Sequence, residues 1–319
     1  MTLHLTRVSY LYTLQVSDRL VSGGVCDPLA NKNLIYYARD AIVTVGYAGL
    51  AYGLSLTNPD MPTDEWIVEQ LWGNPIPRHD DGVRPWAFSG VHILRWLDIG
   101  QSIILLQRKL QEAINRLPSS QRVSPCQMTI AGWQKNRRRR WKPISVNIEK
   151  PQGNAPVTID RPERYWYLTG KLLIVTPDGY LSAEDMTNLR NSISAVLPDK
   201  CETIFVENIR RFSSQHPLRV GSHCLSILLS PPSYALIRVR FIPDVPHSAI
   251  LRSENGRYRR IPVAFSPWII SPRGLHSPSV IHGRSEIRLG LYNIVIEAPE
   301  SETGIVGYMG SLRRPPGPR

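Results

Sequence analysis

Thr2 follows the initiator Met1, and Asp18 and Lys32 come after it within a strand-turn-strand pattern. A methionine in front of a small residue is normally trimmed. Trimming here leaves one residue with both a hydroxyl nucleophile and a free α-amine. An α-amine of pKa near ~8 can take the hydroxyl proton close to neutral pH, so such a residue carries its own general base. What that chemistry still needs is a cation beside the nucleophile and a carboxylate to hold the cation. Lys32 and Asp18 are the candidates.

The elements around these residues read as strands. Tyr12 to Asp18 (YTLQVSD) alternates roughly between apolar and polar residues. Asn33 to Tyr37 and Ala41 to Tyr47 form two more strands, with a hairpin signal at Arg39-Asp40. Thr63-Asp64-Glu65-Trp66 reads as a helix start, with a capping hydroxyl and two acids in the first turn.

Taken in order, Thr2-Leu3, Leu14 to Arg19, Ala30-Asn31-Lys32 and Val45 to Gly49 resemble the amino end of proteasome β subunits and of the bacterial two-ring threonine protease. Both are N-terminal-nucleophile hydrolases. Asp18 lies sixteen residues after Thr2, as the resemblance asks, and Lys32 arrives slightly early. The match runs over about the first 70 residues. It implies an α+β fold, a four-layer αββα sandwich, in which Thr2 attacks a carbonyl carbon and forms an acyl-enzyme. It further implies that Lys32 supports Thr2, that Asp18 fixes Lys32, and that the Gly49 N–H donates to the oxyanion. The substrate is then a peptide or other amide, and the chain a homo-oligomer. Farther on the pattern departs: Gly221 can match a late glycine, but the acid and serine expected before it are out of register, and Thr169 is a poor stand-in for a mid-chain serine. A catalytically silent scaffold or assembly subunit of the same fold is therefore the alternative.

At 319 residues, with 42% hydrophobic and 20% charged residues, the chain has the balance of a soluble globular protein. It lacks a long apolar run and a basic-then-apolar start, so neither a membrane span nor a secretory signal is expected, and the compartment expected is cytoplasmic. Cys26, Cys126, Cys201 and Cys224 are scattered without a C-x-x-C pair, and no histidine cluster has metal-ligand spacing; no metal and no cofactor is expected. His223 and Cys224, adjacent on a strand, would point to opposite faces and form no dyad.

The formal net charge is +12, and its densest part is Arg137 to Arg140 between Trp133 and Trp141. Such a run can grip nucleic-acid phosphates, but a solvated loop joining strands at 128–133 and 143–148 is the favoured reading, with an acidic partner also open.

Amphipathic helices are expected at 103–117, 185–197 and 202–212, and a strand pair at 165–174 and 178–181. Residues 73–90 read as a long loop that the resemblance would place near the active-site mouth. Closing strands follow at 224–229 and 234–241. Two regions result: a core over 1–243, and a β-rich carboxy-terminal extension over 244–319 with a disordered tail.

Overall fold

The computed structural model describes residues 3–19, 32–59, 61–76, 87–89, 96–161, 171–175, 183–193, 196–216, 220–244, 248–252, 258–262, 264–272, 274–276, 280–281, 284–289 and 292–298. The chain opens with β1 (His4–Val8), β2 (Thr13–Asp18), β3 (Asn33–Tyr37) and β4 (Ala41–Ala48), then α1 (Thr63–Trp72) and the short β5 (Ala87–Ser89). Next come α2 (Ile99–Arg116), α3 (Ser119–Arg122), β6 (Cys126–Lys135), β7 (Trp141–Lys150), β8 (Thr158–Asp160) and β9 (Lys171–Val175). Two helices follow, α4 (Ala183–Ser192) and α5 (Pro198–Gln215), then β10 (Cys224–Leu229) and β11 (Leu236–Ile242). The remainder is all strand: β12 (Ser248–Arg252), β13 (Tyr258–Pro262), β14 (Ala264–Phe265), β15 (Ile269–Ser271), β16 (Gly274–His276), β17 (Val280–Ile281), β18 (Arg284–Leu289) and β19 (Tyr292–Glu297).

These strands build two large sheets, making the protein a mixed α+β structure. The first has the order β18-β19-β11-β10-β2-β1-β9 and the second β5-β16-β15-β3-β4-β6-β7-β8. Both are antiparallel except where a late strand joins an early one: β19 lies parallel to β11, and β15 parallel to β3. The segment after residue 243 thus supplies strands to both sheets.

Burial follows the two periodicities. On β1 and β2, Leu3, Leu5, Leu14 and Val16 pack with Phe205, Ile209 and Phe212 of α5 and Leu189 of α4. On the second sheet, Tyr36, Val43, Val45, Met128 and Ile148 pack with Trp66 and Leu71 of α1 and with Ile103, Leu106 and Leu110 of α2. A third cluster draws on both sheets, joining Ile35, Ile42 and Trp133 to Leu225, Ile227, Ile237 and Ile294. Helices α4 and α5 thus pack on the first sheet and α1 and α2 on the second, and β2 has no exposed residue.

The helix expected at 103–117 forms as α2, with a Gln101 side chain accepting the Asp98 N–H at 3.2 Å at its start. The helix at 202–212 is the middle of α5, and that at 185–197 ends earlier, as α4. The Thr63 hydroxyl does not cap α1. It donates to the Leu50 carbonyl at 2.6 Å, and Pro62 holds the N-cap position with no side-chain cap hydrogen bond. Residues 162–170 and 176–180, part of the expected strand pair, lie outside the described residues, as do Cys26 and the tail from 299 onward. Among the described residues no helix is long and apolar enough to cross a membrane.

Candidate active site

Asp18 ends β2 and Lys32 immediately precedes β3, so one residue from each sheet meets at the same end of the molecule. The Lys32 Nζ donates to Asp18 Oδ2 at 2.9 Å, with side-chain exposures of 4% and 0%. Asp18 also accepts two backbone donors: the Leu3 N–H on Oδ1 at 2.9 Å and the Gly221 N–H on Oδ2 at 3.0 Å. A carboxylate buried without such partners would cost several kcal/mol; here three donors replace its water. The spacing of two residues in chain order, Asp18 and Lys32, is thus realised as a buried ion pair.

Thr2 lies outside the described residues. Its neighbour Leu3 does not: Leu3 is buried, its N–H is held by the Asp18 carboxylate, and its carbonyl accepts the Asp18 N–H at 3.2 Å. The start of β1 is therefore pinned to the ion pair rather than projecting into solvent.

Gly49 lies one residue beyond β4, at φ 105°, where a side chain would collide with the Pro125 carbonyl oxygen at 2.3 Å. It belongs to the close approach between β4 and the start of β6. Gly46, three residues earlier and so about 10 Å away along an extended strand, sits at the level of the pair. It faces Asn33 in register, and the next residue, Tyr47, donates its N–H to the Lys32 carbonyl at 2.9 Å.

His4 is the residue that spacing did not single out. It is fully buried on the face of β1 that looks toward the second sheet, and a Cβ on Gly46 would stand 2.0 Å from its Cε1. Burial pushes its pKa down to about 3; Gln15 pulls the other way and the Lys32 cation lowers it further. His4 is thus a neutral imidazole close to the Lys32 ammonium. The same face carries Thr6, Thr13, Gln15 and Ser17, all buried, with Gln15 Nε2 donating to the Thr129 carbonyl at 3.3 Å and Asn33 Nδ2 to Ser17 Oγ at 3.0 Å. The alternation in YTLQVSD was visible as polar against apolar. That its polar face meets a second sheet instead of water was not.

Chemically, the arrangement holds a buried cation at fixed position next to Leu3 and the start of β1. A charge so placed favours the deprotonated form of any amine or hydroxyl beside it. Elsewhere, Cys126, Cys201 and Cys224 are buried free thiols, and burial raises the pKa of each. His223 accepts the Asp244 N–H through Nδ1 and stacks on Phe241.

No protein-family model matches the chain, and no curated protein matches it. Among solved structures it is similar to Anbu (ancestral beta-subunit) from Yersinia bercovieri, at 13% identity and TM-score 0.44, covering 72% of this chain and 81% of that one. It is similar also to the helical assembly of the Anbu complex from Pseudomonas aeruginosa, at 12% identity and TM-score 0.47, covering 76% and 87%. A (Gly-1) mutant of Anbu from Hyphomicrobium sp. strain MC1 shares 10% identity at TM-score 0.45, covering 77% and 89%.

Proposed function

We propose that the chain is an N-terminal-threonine amidohydrolase or peptidase, folded as a four-layer αββα sandwich, that works through an acyl-enzyme at Thr2. The observation that supports this most is the Asp18 carboxylate, which holds both the Lys32 ammonium and the N–H of Leu3, the residue directly after Thr2. After removal of Met1, the Thr2 α-amine takes the proton from the Thr2 hydroxyl. The hydroxyl oxygen adds to an amide carbonyl carbon, the amine portion of the substrate leaves with that proton, and water then releases the acyl group. Lys32 lowers the cost of deprotonating Thr2, and Asp18 positions Lys32. In this reading the enzyme uses no cofactor and acts on a peptide or related amide as a cytoplasmic homo-oligomer.

Intact mass and covalent labelling test it together. Purified protein should lack Met1, and a threonine-directed epoxyketone should add one adduct to the wild type and none to Thr2→Ala. Retained Met1 on fully matured protein would remove the α-amine base and favour a silent subunit of the same fold, and labelling that survives Thr2→Ala would rule out Thr2 as the nucleophile.

A further inference from the structure

The hairpin turns at the end of the two sheets away from the Asp18–Lys32 pair form a surface of their own. The β6–β7 turn carries Arg137 to Arg140, all exposed, and no carboxylate among the described residues pairs with any of them. The turn is closed by its own backbone. The Asn136 N–H donates to the Arg140 carbonyl at 2.8 Å, the Arg139 N–H to the Asn136 carbonyl at 2.9 Å, and the Arg140 N–H to Asn136 Oδ1 at 2.9 Å. Arg139 sits at φ 59°, a left-handed conformation that glycine or asparagine adopts with less strain. A charged side chain is therefore kept at a position where the backbone prefers none.

Other turns reach the same end. Trp133 Nε1, two residues before the close of β6, donates to the Leu229 carbonyl at 3.3 Å, and Leu229 pairs with Thr13 at the start of β2. The β10–β11 turn and the β1–β2 turn accordingly lie beside the arginine turn, and they expose Tyr234 at 76% and Leu11 at 74%. Tyr12 Oη donates to the Val196 carbonyl at 2.8 Å, which brings Leu197, exposed at 76%, to the edge of this patch. Along β2 the patch is about 20 Å from Asp18.

We infer that this end of the sandwich is a docking surface for a partner protein whose own surface combines acidic and apolar residues. Arginine and tyrosine are the residues enriched in protein interfaces and their hot spots, and the exposed leucines beside them add apolar area that gains from being covered. Nucleic acid would use the charges but not the leucines; of the two tryptophans flanking the run, Trp133 is buried between the sheets, and the exposed Trp141 already has the Lys135 ammonium over its ring. A second copy presenting the same patch would bring the two arginine runs together, which repel.

The test is fluorescence anisotropy on the full-length protein with two probes, a labelled peptide of glutamates interspersed with leucine and a single-stranded oligonucleotide of equal charge. The peptide should bind. Binding should weaken about tenfold when Arg137, Arg138 and Arg140 are changed to serine, and about threefold for Leu11→Ser with Tyr234→Ser. Arg139→Gly separates fold from function, since it should raise the thermal midpoint while lowering peptide affinity. A raised midpoint with unchanged affinity overturns the inference. So does tighter binding of the oligonucleotide, or self-association of the wild type that the arginine substitutions abolish.

Discussion

Replacing Asp18 by asparagine isolates the energetics of the buried pair. The substitution preserves size and one acceptor, but an amide cannot serve all three donors that converge on the carboxylate. If its oxygen faces Lys32 and Gly221, its NH2 opposes the Leu3 N–H; turned over, it opposes the other two. An unmet buried donor costs about 1–3 kcal/mol. The larger effect is electrostatic. At 2.9 Å the attraction between Lys32 and Asp18 is of order 6 kcal/mol with an effective dielectric constant near ~20. Much of that is lost when the counter-charge goes, because a side chain exposed by 4% has little water to replace it. The expected net destabilisation is about 3–5 kcal/mol, read from urea unfolding at pH 7. Lys32→Met alone leaves the carboxylate its two backbone donors and should cost less. The double substitution should recover about 2–3 kcal/mol relative to the sum of the singles. A loss below about 1 kcal/mol for Asp18→Asn, the level of an exposed ion pair, would refute the reasoning that water is excluded from this site.

Acid stability should depend on His4. Its folded pKa of about 3 lies below the ordinary value of 6.5, so the unfolded chain takes up a proton that the folded one refuses. Stability is then intact above about pH 6.5 and falls toward pH 3, by at most about 1.4 kcal/mol per unit from this group. His4→Gln should flatten the change in urea midpoint between pH 7 and pH 5, and equal slopes for the two proteins would count against it. Gly46→Ala should cost about 1–3 kcal/mol by overpacking, because its Cβ would meet His4 Cε1 at 2.0 Å and Asn33 Oδ1 at 2.6 Å. Adding His4→Ala should restore most of the loss; no recovery would mean that some other contact decides it.

The parts of the site that were legible in sequence are those whose spacing along one chain is set by local structure. Asp18 closes a strand that alternates visibly, Lys32 precedes another, and their meeting follows once both strands enter neighbouring sheets. His4 was not legible, because a lone histidine in HLTRV acquires meaning only when register places it opposite Ser17 and against Gly46. Period-two polarity shows that a strand has a polar face but not whether water or another sheet covers it. The Thr63 hydroxyl illustrates a local rule overtaken by tertiary structure, since a carbonyl thirteen residues away competed for it. Trp133 and Trp141 look equivalent around the arginine run, yet one fills the space between sheets while the other takes the Lys135 ammonium over its exposed ring.

β15 and β19 lie against β3 and β11, strands made much earlier in synthesis. Until the ribosome has delivered β15 and β19, the edges of β3 and β11 that those strands cover stay unpaired, open to any extended segment nearby. Nascent protein should therefore depend on chaperones late rather than early. A message truncated between the codons for Ile242 and Ile269 would leave both edges uncovered and yield aggregates, not a smaller working protein.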